Sequence, residues 1–250
     1  MLDPSSLGFT SASDALAWLV AMGADEITLD QPIDRFAESA KIVPPVIPQA
    51  APKAAPQPAT LPPIANVSGL NSIADITQAL NFLETHPLKK SASKLSFFEG
   101  PERADILIIA DHPRKEEDRS GLVFADKARL LLTNMLAAIG LKLEEVALMN
   151  LLPWRVLGGA AARPADVQAV LPFAKRAVEL VQPKLILAIS GLPGQYLAAA
   201  DASIQRQRGK WQDADGIPLL ATLHPEELLR NPTLKRMAWR DLQLFQEKLK

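Results

Sequence analysis

The stretch Asp105-Ile-Leu-Ile-Ile-Ala110 is a run of five apolar residues that begins after one aspartate and ends before another. A short apolar run without alternation indicates a β-strand that is covered on both faces. Similar runs recur at residues 146–149, 184–190 and 218–222, and segments with helical spacing lie between them. Strands that alternate with helices predict a parallel sheet with helices on both faces. The sequence therefore predicts an α/β fold of three layers, α/β/α, around a central four-stranded, mainly parallel sheet.

The segments between these runs carry the signals of helices. Apolar residues recur at helical spacing in the second of them, and Gly140 marks its end. Pro232 stands at the first position of the last segment, where a missing backbone N–H costs nothing. The predicted helices of this part of the chain span residues 72–85, 126–140, 164–181, 194–200 and 231–249.

The first quarter of the chain differs from the rest in composition. Residues 41–66 contain eight prolines and many alanines, which predicts a disordered, semi-rigid linker. Residues 1–40 are predicted to form a helical N-terminal segment, with one short amphipathic helix over residues 13–22. That helix is either a docking peptide for a protein partner or a helix that packs on its own domain or frays. Residues 67–250 are left as the globular domain.

Composition excludes several classes of protein. The 250 residues are 48% hydrophobic and carry a net charge of −1, so a basic patch is possible but a globally basic nucleic-acid binder is not. The chain has no cysteine, which excludes disulfides and cysteine-bound metal clusters. No apolar run approaches 18 residues, and the N-terminus lacks a signal-peptide pattern. We expect a cytoplasmic monomer that binds no membrane and needs no metal or other cofactor.

Polar residues follow each predicted strand. Asp111 and His112 follow the first strand, Asn150 the second, Gly191 the third and His224 the fourth. Because the carboxyl ends of parallel strands meet at one edge, these residues are expected to line one crevice. Any one of them alone is a common turn residue, but their convergence predicts a functional site.

Residues 98–249 resemble the uracil-DNA glycosylase superfamily, and are most similar to its family 4, or iron–sulfur, branch. The order and spacing of several motifs carry this resemblance. They are Ala104-Asp-Ile-Leu-Ile-Ile-Ala-Asp-His-Pro113, Glu116-Glu-Asp-Arg-Ser-Gly-Leu-Val-Phe124, Pro153-Trp-Arg155, Arg208-Gly-Lys-Trp211 and Thr222-Leu-His-Pro225.

The resemblance implies roles for the residues at the strand ends. His224 would hydrogen-bond the uracil O2 and stabilise the charge that develops there when the glycosidic bond breaks. Asn150 would read the edge of the base with its amide, and Phe124 would stack on the flipped base. Asp111 would orient or activate the attacking water, with His112 in the same base-binding segment.

The resemblance also implies DNA as the partner, bound with weak sequence preference. Arg230 and Asn231, at the start of the last helix, would hold phosphates. Arg208 and Lys210 would add a second phosphate contact, unless they form a solvated turn. Arg114 is a further candidate for a phosphate contact.

The chain departs from the family at several places, and two of them bear most directly on function. The family's first motif is Gly-Glu-Ala/Pro-Pro-Gly, whereas this chain has Ala110-Asp-His-Pro-Arg114. The cluster cysteines are absent, and His86 and Val170 stand at cluster positions. Two functions therefore stay open. Either the protein excises uracil or a related deaminated base, or it is a catalytically silent relative that binds DNA or a protein.

Overall fold

The structure, a computed structural model, describes residues 12–21, 67–159, 161–201 and 203–249. These residues fall in two units, of which the first contributes only helix α1 (Ala12–Ala21). Its Leu16 and Val20 side chains are mostly exposed. The rest of the predicted N-terminal segment and the predicted linker over residues 41–66 lie outside the described residues. The domain boundaries and the partner-binding role of α1 stay predictions.

The second unit is built on one mixed sheet with the strand order β1-β3-β2-β4-β6-β5. The four central strands run parallel, and an antiparallel strand lies at each edge. The strands are β1 (Phe98–Glu99), β2 (Ile106–Ala110), β3 (Ala147–Asn150), β4 (Leu185–Ile189), β5 (Trp211–Ala214) and β6 (Ile217–Thr222).

The prediction of an α/β fold with a parallel sheet is confirmed, but the prediction of four strands was wrong. The sheet has six strands in the described part of the chain. β1 is only two residues long and shows no sequence pattern. β5 and β6 form a hairpin through Asp215 and Gly216, whose φ angles of 53° and 91° are those of a tight hairpin turn. This Asp-Gly pair was a hairpin signal in the sequence.

Helices pack on both faces of the sheet, as predicted. After α1 they are α2 (Ile73–Asn81), α3 (Lys115–Ser120), α4 (Asp126–Ala138), α5 (Pro164–Val181), α6 (Gly191–Leu197), α7 (Ile204–Gln207), α8 (Pro225–Arg230) and α9 (Lys235–Glu247). The predicted last helix begins as a short 3-10 turn over Pro232–Leu234 and becomes α-helical at Lys235. Among the described residues, none of the helices has both the length and the hydrophobicity that a membrane span requires.

Alternate residues of the central strands face two separate apolar cores. α2 and α5 cover one face of the sheet, against residues such as Leu107 and Ile109. α4 and α9 cover the other face, against Ile106 and Ile108. Because helices cover both faces of the sheet, the central strands need apolar residues at every position. This explains the unbroken apolar runs in the sequence.

The register of the sheet brings the strand ends together. Ala110 of β2 is paired with Asn150 of β3 and with Ile189 of β4, and Ile189 is paired with Thr222 of β6. The residues that follow these positions therefore emerge side by side at the carboxyl edge of the sheet. This edge carries the site that the sequence predicted.

Candidate active site

A pocket of about 540 Å³ opens at the carboxyl edge of the parallel strands. Its walls come from the loops after β2 and β3, from the residue after β4, and from α8 with its N-cap. Five of the predicted site residues line it, namely Asp111, His112, Arg114, His224 and Arg230. Phe124 and Asn150 are completely buried, and neither is part of this wall.

Asp111 is held as a carboxylate by a cation three residues away. The Arg114 Nη2 donates to both of its oxygens, at 3.1 Å and 3.3 Å. Burial is the largest single influence on the Asp111 carboxyl and acts to raise its pKa. The Arg114 guanidinium, the two neighbouring histidines and a backbone hydrogen bond together outweigh burial, and the net pKa is lowered. Asp111 is therefore ionised at neutral pH.

Arg114 also joins the two sides of the pocket. Its Nε lies 3.2 Å from the Glu226 Oε2, on the first turn of α8. Its Nη1 lies 2.9 Å from the His112 Nε2. One guanidinium thus ties the loop after β2 to the helix that begins at His224. The sequence identified Arg114 as a departure from the family but gave no sign of this bridge.

His112 is a neutral ring with both nitrogens occupied. Its Nδ1–H donates to the Pro113 carbonyl at 3.1 Å, so its Nε2 is the acceptor for Arg114. Burial is the main cause that lowers the pKa of this imidazole, and Arg114 lowers it further against the opposing pull of Asp111. Because its proton and its lone pair are both engaged, His112 is placed to orient its neighbours rather than to accept a proton from water.

His224 is a neutral hydrogen-bond donor. It ends the loop after β6 and caps α8, where its Nδ1 accepts from the Glu226 backbone N–H at 3.1 Å. The proton of the neutral ring is therefore on Nε2. Burial lowers the pKa of His224 to about 4, against the opposing effect of the Asp111 carboxylate. At neutral pH the ring presents an uncharged N–H to its surroundings.

Asn150 has a fixed amide orientation and one unused acceptor. Its Nδ2 donates to the Ser96 carbonyl at 3.0 Å and to the Ser96 Oγ at 2.9 Å. The Ser96 hydroxyl gives its own proton to the Leu122 carbonyl, so both atoms that face Nδ2 are acceptors. The Asn150 Oδ1 is buried and has no partner. The side chain thus offers an acceptor, but not a free donor, to a ligand.

Phe124 lies against the His224 ring, with the two ring centroids 5.6 Å apart. Three polar side chains hold the backbone around it. Glu99 accepts from the Val123 N–H, Arg129 donates to the Phe124 carbonyl, and Glu117 accepts from the Ala125 N–H. These bonds fix the backbone before and after Phe124, and thereby set the position of its ring.

Ser190 is a candidate site residue that was not predicted from the sequence. The residue expected at this strand end was its neighbour, Gly191. Ser190 follows β4 and lines the pocket with Asp111 and His224. Its backbone angles, φ 98° and ψ 178°, belong to a region that glycine alone occupies without strain. Its Oγ is buried and has no partner, so it is available to a ligand. No sequence signal marks a serine for this conformation.

The predicted DNA contacts do not all lie together. Arg230 lines the pocket and is mostly exposed, and Asn231 follows it on the surface. Arg208 lies elsewhere, with its guanidinium 2.8 Å from the buried Asp241 carboxylate. Lys210 is exposed on the turn before β5 and does not line the pocket. Arg208 therefore attaches this turn to α9. That structural role accounts for the arginine without any contact to DNA.

Comparison with known proteins agrees with this arrangement. A family model described as the uracil DNA glycosylase superfamily matches residues 97–243, a range that includes all strands of the described sheet and every residue that lines the pocket. The chain belongs to the uracil-DNA glycosylase superfamily. The resemblance inferred from the motifs is thereby confirmed.

Several relatives in this superfamily are named as type-4 uracil-DNA glycosylases. The protein of Archaeoglobus fulgidus is 26% identical over 174 residues, which cover 66% of this chain and 87% of the relative. The protein of Thermotoga maritima is 27% identical over 161 residues, covering 63% and 84%. The protein of Sulfurisphaera tokodaii is 27% identical over 158 residues, covering 60% and 72%.

The residues of this superfamily member do not fit an iron–sulfur cluster. The sequence has no cysteine to ligate one. His86, at a cluster position, packs its ring 4.6 Å from the Trp154 ring and bonds the Asp166 carbonyl through Nε2. Val170, at another, lies on α5 and is buried in the core that α5 shares with α2. Aromatic and apolar packing fills the place where the resemblance puts the cluster.

Proposed function

We propose that this protein is a DNA glycosylase that hydrolyses the N-glycosidic bond of uracil, or of a related deaminated base, flipped out of DNA. The observation that carries the proposal is the pairing of two groups in one pocket. His224 is a neutral N–H donor and Asp111 is a carboxylate, and they follow β6 and β2, the two strands that flank β4. Such a donor and such a base are what base excision by hydrolysis requires.

His224 would act on the leaving base. When the bond between the sugar C1′ and the base nitrogen breaks, the bonding electrons move to the base and its O2 becomes negative. The His224 Nε2–H would donate a hydrogen bond to that oxygen, in a buried place where such a bond is strong. A neutral ring suits this role, because it stabilises the anion without a full proton transfer.

Asp111 would act on the water. Its carboxylate is ionised, so it can orient a water molecule toward the sugar C1′ and accept a proton from it. Arg114 holds this carboxylate in place and keeps it ionised. Although the acid is one methylene shorter than the glutamate of the family motif, its charge state fits the same task.

Asn150 would select the base. Its unpartnered Oδ1 can accept a hydrogen bond from the ring N–H of uracil, or from the equivalent N–H of hypoxanthine and xanthine. Cytosine and adenine present a lone pair at that position, which the Oδ1 would repel. This favours deaminated bases over the normal bases from which they form. Phe124, beside His224, would stack on the same base.

DNA would be held through its phosphates, with weak sequence preference. Arg230 and Arg114 line the pocket, and Asn231 follows Arg230 at the end of α8. Lys210 remains a candidate for a more distant phosphate contact. Few cations take part, so the affinity should fall with salt but less steeply than for a strongly basic protein.

One observation favours the second candidate function, a silent relative that only binds DNA or a protein. The Arg114 guanidinium occupies the pocket and neutralises the acid, while Asn150 and Phe124 are closed off from it. A pocket that stays in this state would bind DNA without turnover. The two functions differ in whether an abasic site forms.

The test is an excision assay with labelled oligonucleotides, single- and double-stranded, that carry one uracil, hypoxanthine or xanthine. Alkali-cleavable abasic sites are measured with the wild type and with Asp111→Asn and His224→Ala. Asp118→Asn is the matched control, because Asp118 is a buried carboxylate that binds the Ser93 N–H outside the pocket.

Product from the wild type and the control, and little from the other two variants, would support the glycosylase. The base that is cleaved would show the specificity. Absence of product with every base, together with retained DNA binding, would favour the silent relative.

A further inference from the structure

Glu117 connects two parts of the site through one carboxylate. It lies on α3, the short helix between the loop that carries Asp111 and the segment that carries Phe124. Its Oε2 accepts from the Arg114 backbone N–H at 3.1 Å. Its Oε1 accepts from the Ala125 backbone N–H at 3.0 Å. The side chain is buried, so these two bonds are its compensation for the loss of water.

Helix capping explains only one of these bonds. A glutamate at the third helical position commonly reaches back to the N-cap N–H, which here belongs to Arg114. The bond to Ala125 goes eight residues forward, to the amide that follows Phe124. A helix of six residues has no need of that second contact.

The two amides belong to the two segments that the site has to hold in register. Arg114 fixes the Asp111 carboxylate through its guanidinium, and Phe124 lies against the His224 ring. A carboxylate that binds both backbones sets the distance between the acid and the ring. Loss of either bond would let one segment shift relative to the other.

We propose that Glu117 is a positioning residue of this site, which sets the separation between the Asp111 loop and the Phe124 segment. The effect on excision rests on the proposed function. The positioning itself belongs to the free protein and can be measured without substrate.

The test compares Glu117→Gln with Asp118→Asn. Glutamine has the same shape but only one acceptor oxygen, so its NH₂ must oppose one of the two amides. Asp118 is the matched control on the next residue, because it is also buried and its Oδ1 also binds one backbone N–H, that of Ser93.

Hydrogen–deuterium exchange of the full-length chain is measured amide by amide. In Glu117→Gln we expect exchange at Arg114 or Ala125 to become about tenfold faster, as for the loss of one hydrogen bond. Asp118→Asn keeps one acceptor oxygen for the Ser93 N–H, so it should leave exchange at Arg114 and Ala125 unchanged. Similar acceleration across the sheet in Glu117→Gln would mean a general loss of stability and would overturn the proposal, as would no change at either amide.

Single-turnover excision then tests the consequence. We expect Glu117→Gln to lower the rate at saturating DNA about tenfold or more, because small displacements of reacting groups are costly. The half-saturating DNA concentration should stay close to that of the wild type, and Asp118→Asn should match the wild type in both. An equal loss in the two variants would contradict a positioning role. If the wild type excises no base, the proposed function fails, while the exchange data still decide the role of Glu117.

Discussion

Replacement of Ser190 by glycine should stabilise the protein, although it removes a side chain from the edge of the sheet. Ser190 has φ 98° and ψ 178°, and its hydroxyl is buried without a partner. Such a backbone costs a residue with a Cβ about 1–3 kcal/mol, and an unpaired buried polar group costs about 1–3 kcal/mol more. Glycine removes both costs.

The gain is reduced by the greater freedom of glycine in the unfolded chain, about 0.5–1 kcal/mol. We expect Ser190→Gly to raise the free energy of unfolding by about 1–5 kcal/mol. For a domain of this size, Tm rises by about 2–4 °C for each kcal/mol. Thermal and denaturant-induced unfolding would measure it.

Ser190→Ala separates the two contributions, because it removes the hydroxyl but keeps the Cβ that strains the backbone. Its Tm should lie between those of the wild type and Ser190→Gly. A Ser190→Gly variant no more stable than the wild type would show that neither the backbone conformation nor the buried hydroxyl of Ser190 destabilises the fold. Equal stability of the alanine and glycine variants would show that the backbone is not strained.

Three further predictions concern charge. Folded His224 is neutral down to about pH 4, whereas the unfolded chain protonates it below pH 6.5, so stability should fall by roughly 3 kcal/mol over that window. In urea unfolding measured between pH 7 and pH 4, the free energy of unfolding should depend less steeply on pH in a His224→Asn variant than in the wild type. Arg208→Ala should cost about 3–5 kcal/mol, because it leaves a buried carboxylate unpaired, and a loss of DNA affinity without destabilisation would contradict this. Glu226→Gln removes the carboxylate that would compete with a DNA phosphate for Arg114. It should increase the DNA affinity, measured by fluorescence anisotropy, about threefold more than Glu227→Gln does. Glu227→Gln is the control, because it removes the same charge from the same pocket, and equal effects of the two variants would exclude competition.

The sequence was sufficient for the central sheet, because each parallel strand is covered on both faces and must be apolar throughout. It was insufficient for β1, which is two residues long, and for α3, whose residues Lys115–Ser120 show no apolar periodicity. The hairpin of β5 and β6 could have been predicted from Asp215 and Gly216, since both residues have the positive φ that such turns require.

The site could be predicted only in part. Strand ends placed Asp111, Asn150 and His224 at one edge, because parallel strands fix where their following residues emerge. The partners of these side chains could not be predicted, because they come from distant parts of the chain. Ser96, which orients the Asn150 amide, lies 54 residues before it in the chain. Asp241, which binds Arg208, lies 33 residues after it. Such pairs depend on tertiary packing and leave no local pattern.

The most direct test of the central claim is single-turnover excision of uracil from a single-stranded oligonucleotide at pH 7, with wild type and His224→Ala side by side. We expect abasic sites from the wild type and a rate lower by a factor of about 10²–10³ in the variant, as for the loss of one donor to a developing oxyanion. Equal rates in the two proteins, or no product from the wild type, would contradict it.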